Sequence, residues 1–468
     1  METAGLLFAF RLAKAERASL GAEPWTIQHS TTRVWITTGF KKCAVTNPSD
    51  ARVGRGMQGE SRLWSKDFGW WFGARGAAIV AAEMTVVILQ LMILEGSQSA
   101  FLVSALRATV VLPYLLLGFY AGAFADRTNR RRILIVADFI SGVALLTAAS
   151  WSLFLAPHAA VLLAAAFLVW SCLVFFDAGA WGSLLVIVGK EKLGDANSKI
   201  WALMSVAGLA GPMVAVWIAE IHSLAAGLFI AAGLYLASVA ALAQIEVLKT
   251  HAPSPPKRPR ALDGLTLLWA DSVLAKVVIT AGTASFSMGA ASGVLVVLLA
   301  ERGAIAGSYF SAGTVFAAGA AGALVASMAF PKLRKTFGAP MVVALSLGLY
   351  GLLLASVGMV GHGILLALLW GVAHLSYTLV VVCAITLRQE TTPADQQGRV
   401  NTSARVVTLG SQMAGALTAG VIAQAFAVQL VYMLVGAVCL LGVLLVAASW
   451  AHLRPHRFAP QRDADGKA

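Results

Sequence analysis

Between two apolar runs lies the basic stretch Gly122-Ala123-Phe124-Ala125-Asp126-Arg127-Thr128-Asn129-Arg130-Arg131-Arg132. The run before it covers about residues 100–124, and the run after it covers about residues 133–156. Each run is long enough to cross a bilayer, because a helical crossing takes about 20 residues. A loop this basic between two membrane helices is expected on the cytoplasmic side. The sequence therefore predicts a membrane protein with this loop in the cytoplasm.

The composition is that of a membrane protein rather than of a soluble one. Of the 468 residues, 59% are hydrophobic and only 12% are charged, whereas a soluble chain carries about 25% charged residues. In a soluble protein the net charge of +13 would favour nucleic-acid binding. Here the basic residues lie in breaks between apolar runs, where the positive-inside rule accounts for them. We therefore expect a lipid bilayer as a partner, and no nucleic acid.

Apolar runs separated by polar breaks predict twelve membrane helices in two sets of six. The first set is predicted at residues 70–94, 100–124, 132–155, 159–188, 198–220 and 223–246. The second set is predicted at residues 274–300, 304–330, 339–361, 363–387, 401–425 and 428–451. The predicted fold class is therefore all-α, an integral membrane protein built from two six-helix halves.

The charge of the breaks alternates along the chain. The breaks after the second, fourth, sixth, eighth and tenth spans are basic and carry Arg127, Arg130, Arg131, Arg132, Lys190, Lys192, Lys199, Lys249, Lys257, Arg258, Arg260, Lys332, Arg334, Lys335, Arg388 and Arg399. The other breaks carry Glu95, His158, Glu220, Glu301, Arg302 and His362. This alternation predicts that both termini are cytoplasmic. The expected location of this multi-pass protein is a bacterial inner membrane.

A proline-rich linker joins the two predicted halves. The predicted organisation is a cytoplasmic tail of residues 1–69, a first half of residues 70–246, a cytoplasmic linker of residues 247–273, a second half of residues 274–451 and a cytoplasmic tail of residues 452–468. Prolines argue against a helix at the start of the linker, while residues 261–274 predict a short amphipathic helix on the membrane surface. Residues 332–338 repeat, in the second half, the position of the first basic loop. Two repeated halves around a midplane cavity are a known transporter plan.

The first 56 residues do not belong to that plan. Their apolar run at residues 6–10 is too short for a signal sequence and is followed at once by Arg11. Met57 stands just before the polar lead-in to the first span. The hypothesis at this stage is that translation begins at Met57.

The first basic loop resembles the signature of the major facilitator superfamily, and other segments resemble its drug- and siderophore-exporter branch (the enterobactin type). These segments are Trp64-Ser65-Lys66-Asp67-Phe68, Phe176-Asp177-Ala178, Asp195-Ala196-Asn197, Gly208-Leu209-Ala210-Gly211-Pro212 and Gly398-Arg399-Val400. The fourth is similar to the antiporter motif of the fifth helix, although Ala207 stands where its first glycine is expected. Asn129 and Gln397 also replace a glycine and an arginine of the family pattern.

The resemblance implies a secondary transporter that exports a small amphiphilic molecule, a siderophore or a drug, by alternating access. It also implies a lock in which Asp126 faces the N-terminus of the eleventh span near residues 401–403, where a negative charge suits the helix dipole. The other members of this lock are Gly122, Arg127, Arg130, Arg131 and Asp177, and Asp177 is expected to accept a loop arginine. The alternative is a plain solvated loop that sets topology.

Two charges inside the predicted spans are candidates for proton coupling. Glu83 lies about 20 Å from the inner end of the first span, and Arg107 lies about 10 Å from the outer end of the second. Charged groups at such depth need a partner or water. Burial favours the neutral carboxyl group while a nearby cation favours the carboxylate, so Glu83 could load and release a proton. A fixed salt bridge to Arg107 and direct substrate contact remain open.

Fewer ionisable groups lie inside the second half. His374 is the next candidate for proton coupling, although a lone membrane histidine is more often a packing residue, and Tyr377 shares its face.

Arg75, Asp138 and Arg405 are the other charges placed inside spans. The cysteines and histidines show no metal-binding or redox spacing, so we expect no metal. Without a phosphate-binding Gly-x-x-x-x-Gly-Lys-Ser/Thr loop, no ATP hydrolysis by that route is expected.

The sequence leaves rival functions open. An importer or a lysophospholipid transporter of the same fold is one alternative, and a non-transporting receptor or regulator is another. Aromatic side chains on the fourth and fifth spans are expected to face lipid, with a substrate cavity as the alternative. No enzyme signature is present, and no cofactor is expected. The protein is expected to be a monomer, and its expected partners are a small-molecule substrate, protons and lipid.

Overall fold

The computed structural model describes residues 26–30, 33–38, 41–45, 64–189, 192–250, 263–302, 310–361, 363–393 and 396–450. The chain divides into two units, residues 1–62 and residues 63–468. Each unit is described by itself.

The first unit contains a three-stranded antiparallel sheet that the sequence analysis did not predict. Its strands are β1 (Thr26–Ser30), β2 (Arg33–Thr38) and β3 (Lys41–Val45), in the order β1-β2-β3. Thr26 pairs with Thr37, and Val34 pairs with Val45. The central strand is rich in β-branched and aromatic residues, which favour strands.

The first six membrane spans are single helices. They are α1 (Lys66–Ser97), α2 (Ala100–Arg127), α3 (Arg130–Phe154), α4 (Ala159–Val188), α5 (Leu193–Ile221) and α6 (Leu224–Ala243). Polar side chains cap several N-termini. Ser65 accepts the amide hydrogen of Phe68, and Asn129 accepts that of Arg132. Such caps satisfy backbone donors that a helix leaves unpaired.

Two short helices, α7 (Val247–Thr250) and α8 (Asp263–Ala270), precede the second half. The second half contains α9 (Ser272–Gly293), α10 (Leu295–Glu301), α11 (Phe310–Met359), α12 (Gly363–Thr391), α13 (Gln397–Ala425) and α14 (Val428–Trp450). The helices α9 and α10 together form the seventh span, because the backbone breaks at Val294. The helix α11 supplies the eighth and ninth spans.

The eighth and ninth spans are separated at Gly338, which has φ 75° and ψ 158°. Only glycine adopts this conformation without strain, and Pro340 follows two residues later. The predicted break at residues 332–338 is therefore a kink rather than a loop. Ten of the described helices are long and apolar enough to cross a membrane. With α11 counted as two spans and the shorter apolar segment Val428–Leu444 of α14 as the last, the predicted fold of twelve spans in two six-helix halves is confirmed.

The packing differs between the two sides of the membrane region. We call the side where α1 begins the inner side and the side where it ends the outer side. On the outer side one continuous apolar core joins both halves, and it includes Ile88, Leu106, Val296 and Tyr432. Towards the inner side each half has its own core. One contains Phe68, Trp71 and Phe176, and the other contains Val277, Phe330 and Leu387.

Hydrogen bonds between the halves reinforce the outer contact. The Ser104 hydroxyl of α2 donates to the Ala416 carbonyl of α13. The Ser99 hydroxyl donates to the side chain of Gln424 at 3.0 Å. The Gln90 amide of α1 donates to the Ser292 carbonyl of α9 at 3.4 Å. The halves are therefore joined on the outer side and packed separately towards the inner side.

Candidate functional site

The first half contains a buried ion pair between α1 and α4. The Arg75 guanidinium donates from Nη2 to Oδ1 of Asp177 at 2.8 Å, and the two side chains are 6% and 22% exposed. The Tyr114 hydroxyl of α2 donates to the second carboxylate oxygen of Asp177 at 2.9 Å. One carboxylate therefore connects three helices of the same half.

Neighbouring contacts hold this ion pair in place. The Arg75 guanidinium lies 5.2 Å from the centre of the Phe176 ring, a distance at which a cation is attracted to the ring face. The Trp71 indole donates to the Ser183 hydroxyl at 3.0 Å, one turn along the same pair of helices. The buried Nη1 atom of Arg75 has no hydrogen-bond partner among the described residues. These contacts fix α1 against α4.

The loop arginines bind elsewhere than expected, because Asp177 pairs with Arg75 instead. Arg130 donates to the carbonyl of Gly182 on α4 at 2.7 Å. Arg131 donates to the carbonyls of Leu242, at 3.4 Å, and Ala243. These carbonyls end α6, where a cation complements the helix dipole. Both arginines thus tie the loop to its own half.

The remaining residues of the predicted lock are only partly described. Gly122 and Arg127 are exposed near the end of α2. The side chain of Asp126 lies outside the described residues, as does that of Arg399 at the start of α13. The contact predicted between Asp126 and α13 stays a prediction.

Asp138 forms a second buried polar contact in the first half. This carboxylate on α3 is 2% exposed and accepts a hydrogen bond from Ser238 of α6 at 2.5 Å. It also lies within electrostatic range of Arg75. A buried carboxylate needs such partners because desolvation is costly. Asp138 is therefore bound to its own half, like Asp177.

Glu83 and Arg107 form the third charged group, and their geometry differs from that of the ion pair. The two charges lie within electrostatic range of each other. Among the described residues, however, no nitrogen–oxygen contact within 4.0 Å joins them. The buried Nε atom of Arg107 has no hydrogen-bond partner in the part of the chain that the structure describes. The alternative of a fixed salt bridge therefore has no close charged contact to support it in this conformation.

Arg107 also lies within electrostatic range of His374, which belongs to α12 in the other half. Nδ1 of His374 lies 3.3 Å from the carbonyl of Trp370, and the two rings are centred 4.6 Å apart. The glycine Gly319 of α11 packs against this pair. The three candidates for proton coupling, Glu83, Arg107 and His374, therefore lie around the boundary between the two halves.

The motif of the fifth span packs directly against Glu83. A Cβ atom at Gly211 would lie 2.5 Å from the Cβ of Glu83, a distance that real side chains do not allow. Gly208, one turn earlier, faces α11, where a Cβ atom at Gly208 would lie 3.9 Å from the Cβ of Ala320. Pro212 is buried inside α5. The small residues of this motif let α1 approach α5 at the level of Glu83.

Tyr114 is a residue that the sequence analysis missed. The guanidinium carbon of Arg405 on α13 lies over the Tyr114 ring, 4.9 Å from its centre. The Tyr114 hydroxyl donates a hydrogen bond to Asp177. It therefore links the ion pair of one half to a charge of the other half. The sequence does carry a signal, because Tyr114 follows Arg107 by seven residues and so lies on the same helix face.

Polar contacts near the inner ends of the second half involve residues of that half. Arg388 of α12 donates to Asn401 of α13 at 2.7 Å. Arg334 pairs with Glu390 at 2.5 Å, and Glu390 is 50% exposed. Within the described ranges, no group of histidine, cysteine, aspartate or glutamate residues has the arrangement of a metal site.

Known proteins were compared with this chain. No curated protein matched it closely enough to count as a relative. The nucleoside transporter NupG has 12% identity and a TM-score of 0.68, with 83% of this chain and 100% of that chain covered. A bacterial homologue of the human lysosomal transporter Spinster, inward-facing and unoccupied, has 14% identity and a TM-score of 0.61, with 84% and 96% covered.

A mutant of the peptide transporter POT in complex with sulfate is also similar, with 14% identity, a TM-score of 0.66, and 82% and 93% of the chains covered. At such identities the likeness establishes the fold alone. A family model described as Major Facilitator Superfamily matches residues 71–406, which is more than half of the chain. The chain therefore belongs to the major facilitator superfamily.

Proposed function

We propose that this major facilitator protein is a proton-coupled exporter of a small amphiphilic molecule, a siderophore or a drug, that works by alternating access. The observation that carries the proposal is the unpaired arrangement of Glu83 and Arg107 beside the boundary between the halves. An ion pair in contact would hold Glu83 ionised. A carboxylate separated from its cation can change charge at a smaller cost.

The proton step uses Glu83 as the carrier. When a proton adds to its carboxylate, the group becomes neutral, and Arg107 loses a compensating charge. The balance of charge at the boundary then changes, with His374 facing Arg107 from the other half. A change in the relative stability of two arrangements of the halves is what a coupled transporter requires. Release of the proton restores the starting balance.

The position of the motif of the fifth span supports a role of Glu83 in movement. Gly211 allows α5 to contact α1 at Glu83, while Gly208 on the same helix faces α11 of the second half. The helix α5 therefore lies between the proton candidate and the other half. Export is proposed from the resemblance of this motif to the antiporter motif.

The packing supports an inner-side path in this conformation. One apolar core joins the halves on the outer side, and the smaller cores towards the inner side each lie within one half. We place the inner side in the cytoplasm of a bacterium from the alternating loop charge. In this arrangement, substrate and protons would reach the boundary from the cytoplasm.

The lock is proposed to act in the opposite conformation. Arg130 and Arg131 are bound to carbonyls of their own half, so they hold the loop in position. Asp126 would then contact the N-terminus of α13 only when the inner sides come together. The separate inner cores in this conformation agree with an open lock.

The proposal is tested with Glu83→Gln in inside-out vesicles, with an amphiphilic fluorescent dye as the test substrate. We expect dye accumulation driven by an imposed pH gradient to fall to background, since the carrier group is gone. Dye binding and downhill exchange should continue, because neither requires net proton movement. Glu95→Gln serves as the control, because Glu95 lies on the same helix but is exposed at its outer end.

Two outcomes would count against the proposal. Unchanged gradient-driven accumulation in Glu83→Gln would exclude Glu83 and make His374 the next candidate. A fall in protein level that is restored by adding Arg107→Gln would favour a fixed structural pair. Comparison of metabolites inside and outside a deletion strain would then identify the natural substrate.

A further inference from the structure

An apolar groove lies on the membrane face of the first half, away from the charged boundary. It runs between the inner end of α2 and the start of α3, over α4. Phe124 of α2 and Phe175 of α4 line it with rings 5.6 Å apart in an edge-to-face arrangement. Val136 and Ile140 of α3 form its opposite wall. The cavity volume is about 350 Å³, within the range of ligand pockets.

The groove has the depth of one bilayer leaflet. Along α3 its lining extends from Arg132 to Ile140, which at 1.5 Å per residue is about 12 Å. Half of a hydrocarbon core is about 15 Å. Phe124 and Val136 are 49% and 52% exposed, so the groove is open along its side. An acyl chain fits such a channel better than a compact polar molecule.

The lining of the groove is apolar, and a cationic segment lies at its inner end. Thr128 and Arg132 line it at the inner end. The first turn of α3 carries Arg130, Arg131 and Arg132 and no acidic residue, although cations are unfavourable near a helix N-terminus. The first two of these arginines bind backbone carbonyls. The exposed Arg132 has neither an ion-pair nor a side-chain hydrogen-bond partner among the described residues.

We propose that this groove binds one anionic phospholipid of the inner leaflet, with an acyl chain along α3 and its phosphate on Arg132. Charge complementarity selects the headgroup, because basic residues at the cytoplasmic end of membrane helices attract anionic lipid. The apolar walls of the groove favour an acyl chain, because they bury its hydrocarbon surface. The site is separate from Glu83 and Arg107, so it does not depend on the proposed transport reaction.

The experiment uses the full chain in nanodiscs of phosphatidylcholine, with phosphatidylglycerol titrated in and bound lipid counted by native mass spectrometry. We expect one phosphatidylglycerol to be retained. Arg132→Gln should weaken its binding about fivefold, the effect of one basic residue at the membrane surface. Val136→Trp should also weaken it, because the indole fills the groove while the charge remains. Lys335→Gln removes an exposed cation of the second half and should bind as the wild type does.

Several outcomes would overturn the proposal. If phosphatidylcholine is retained as well as phosphatidylglycerol, Arg132 does not select an anionic headgroup. Loss of binding in Arg132→Gln but not in Val136→Trp would mean that the loop binds a headgroup without a chain in the groove. Displacement of the lipid by millimolar inorganic phosphate would indicate a soluble anion as the ligand. Unfolding temperatures of the two variants confirm that they fold, which is expected because both side chains are exposed.

Discussion

The two halves of the molecule satisfy their buried polar groups in different ways. In the first half the buried groups are titratable side chains, namely Arg75 with Asp177 and Asp138 with its serine partner. In the second half the buried contacts are mostly neutral, and the buried Arg388 binds a neutral amide, Asn401, rather than a carboxylate. The Tyr432 hydroxyl donates to the Ala291 carbonyl at 2.8 Å, and the rings of Tyr350 and Tyr377 lie 5.8 Å apart. Similar six-helix plans therefore have different electrostatic interiors.

This difference in buried polar groups indicates where a proton-coupling group can lie in the molecule. Buried charges are costly to separate, so those in the first half fix its helices relative to one another. A half that is rigid internally can move as one body. Glu83 and Arg107 belong to this half, yet lack the close contact of the Arg75–Asp177 pair. The second half contributes His374 and Arg405 to the boundary between the halves.

The strongest test of this comparison removes one acidic partner from each half. Asp177→Ala leaves Arg75 buried without its ion-pair partner, and we expect a loss of about 3 kcal/mol in the free energy of unfolding. Glu390→Ala breaks the Arg334 pair of the second half, where the carboxylate is 50% exposed, and should cost at most about 1 kcal/mol. Reversible unfolding in detergent measures both changes.

A double variant supplies the control for that test. Arg75→Met combined with Asp177→Leu removes both charges, so most of the loss seen in Asp177→Ala should be recovered. Equal losses for Asp177→Ala and Glu390→Ala would remove the distinction between the halves.

The second test compares the two basic loops at the inner side. Asp126→Asn should reduce transport of the amphiphilic dye at least about tenfold, the equivalent of about 1.4 kcal/mol, because the proposed lock loses its charge. The later basic segment, residues 332–338 of the kinked helix α11, contains no acidic residue, and Lys335→Gln should leave transport near the wild-type level. Initial rates are normalised to the amount of protein in the membrane. A normal rate for Asp126→Asn at a normal protein level would exclude the lock.

Sequence patterns predicted the fold well because bilayer thickness sets helix length. A span needs about 20 apolar residues, so hydropathy located all twelve spans. The sequence did not reveal that residues 332–338 continue as a kinked helix, since a single left-handed glycine, Gly338, makes the turn there. The sheet of the first unit was also missed, because its strands are only five or six residues long.

The candidate site was only partly predictable. Composition and depth identified Glu83 and Arg107, because charges are rare inside spans. Partners depend on how helices rotate about their axes, which one sequence does not fix. Asp177 was therefore assigned to a loop arginine, whereas Arg75 binds it. The sequence pattern did not indicate Tyr114, because a sequence does not show that a tyrosine hydroxyl lies against a buried carboxylate.

The most sensitive test compares two tyrosine hydroxyls, one from each half. Tyr114 donates to the ionised carboxylate of Asp177 at 2.9 Å, and Tyr432 donates to a neutral carbonyl at 2.8 Å. A hydrogen bond to a charged group contributes about 1.5–3 kcal/mol, whereas a neutral one contributes about 0.5–1.5 kcal/mol. Tyr114→Phe should therefore destabilise the protein by about 1 kcal/mol more than Tyr432→Phe.

The substitution isolates the hydroxyl because phenylalanine keeps the ring. At position 114 the ring that faces Arg405 remains, so its attraction to the guanidinium is retained. Both variants are measured by the same reversible unfolding in detergent, with transport of the dye as a second readout. If the first half is held together by its ionised groups, only Tyr114→Phe should also change transport, since it weakens the position of Asp177. Equal destabilisation by the two variants would mean that ionised and neutral hydroxyl contacts contribute alike, and the proposed difference between the halves would fail.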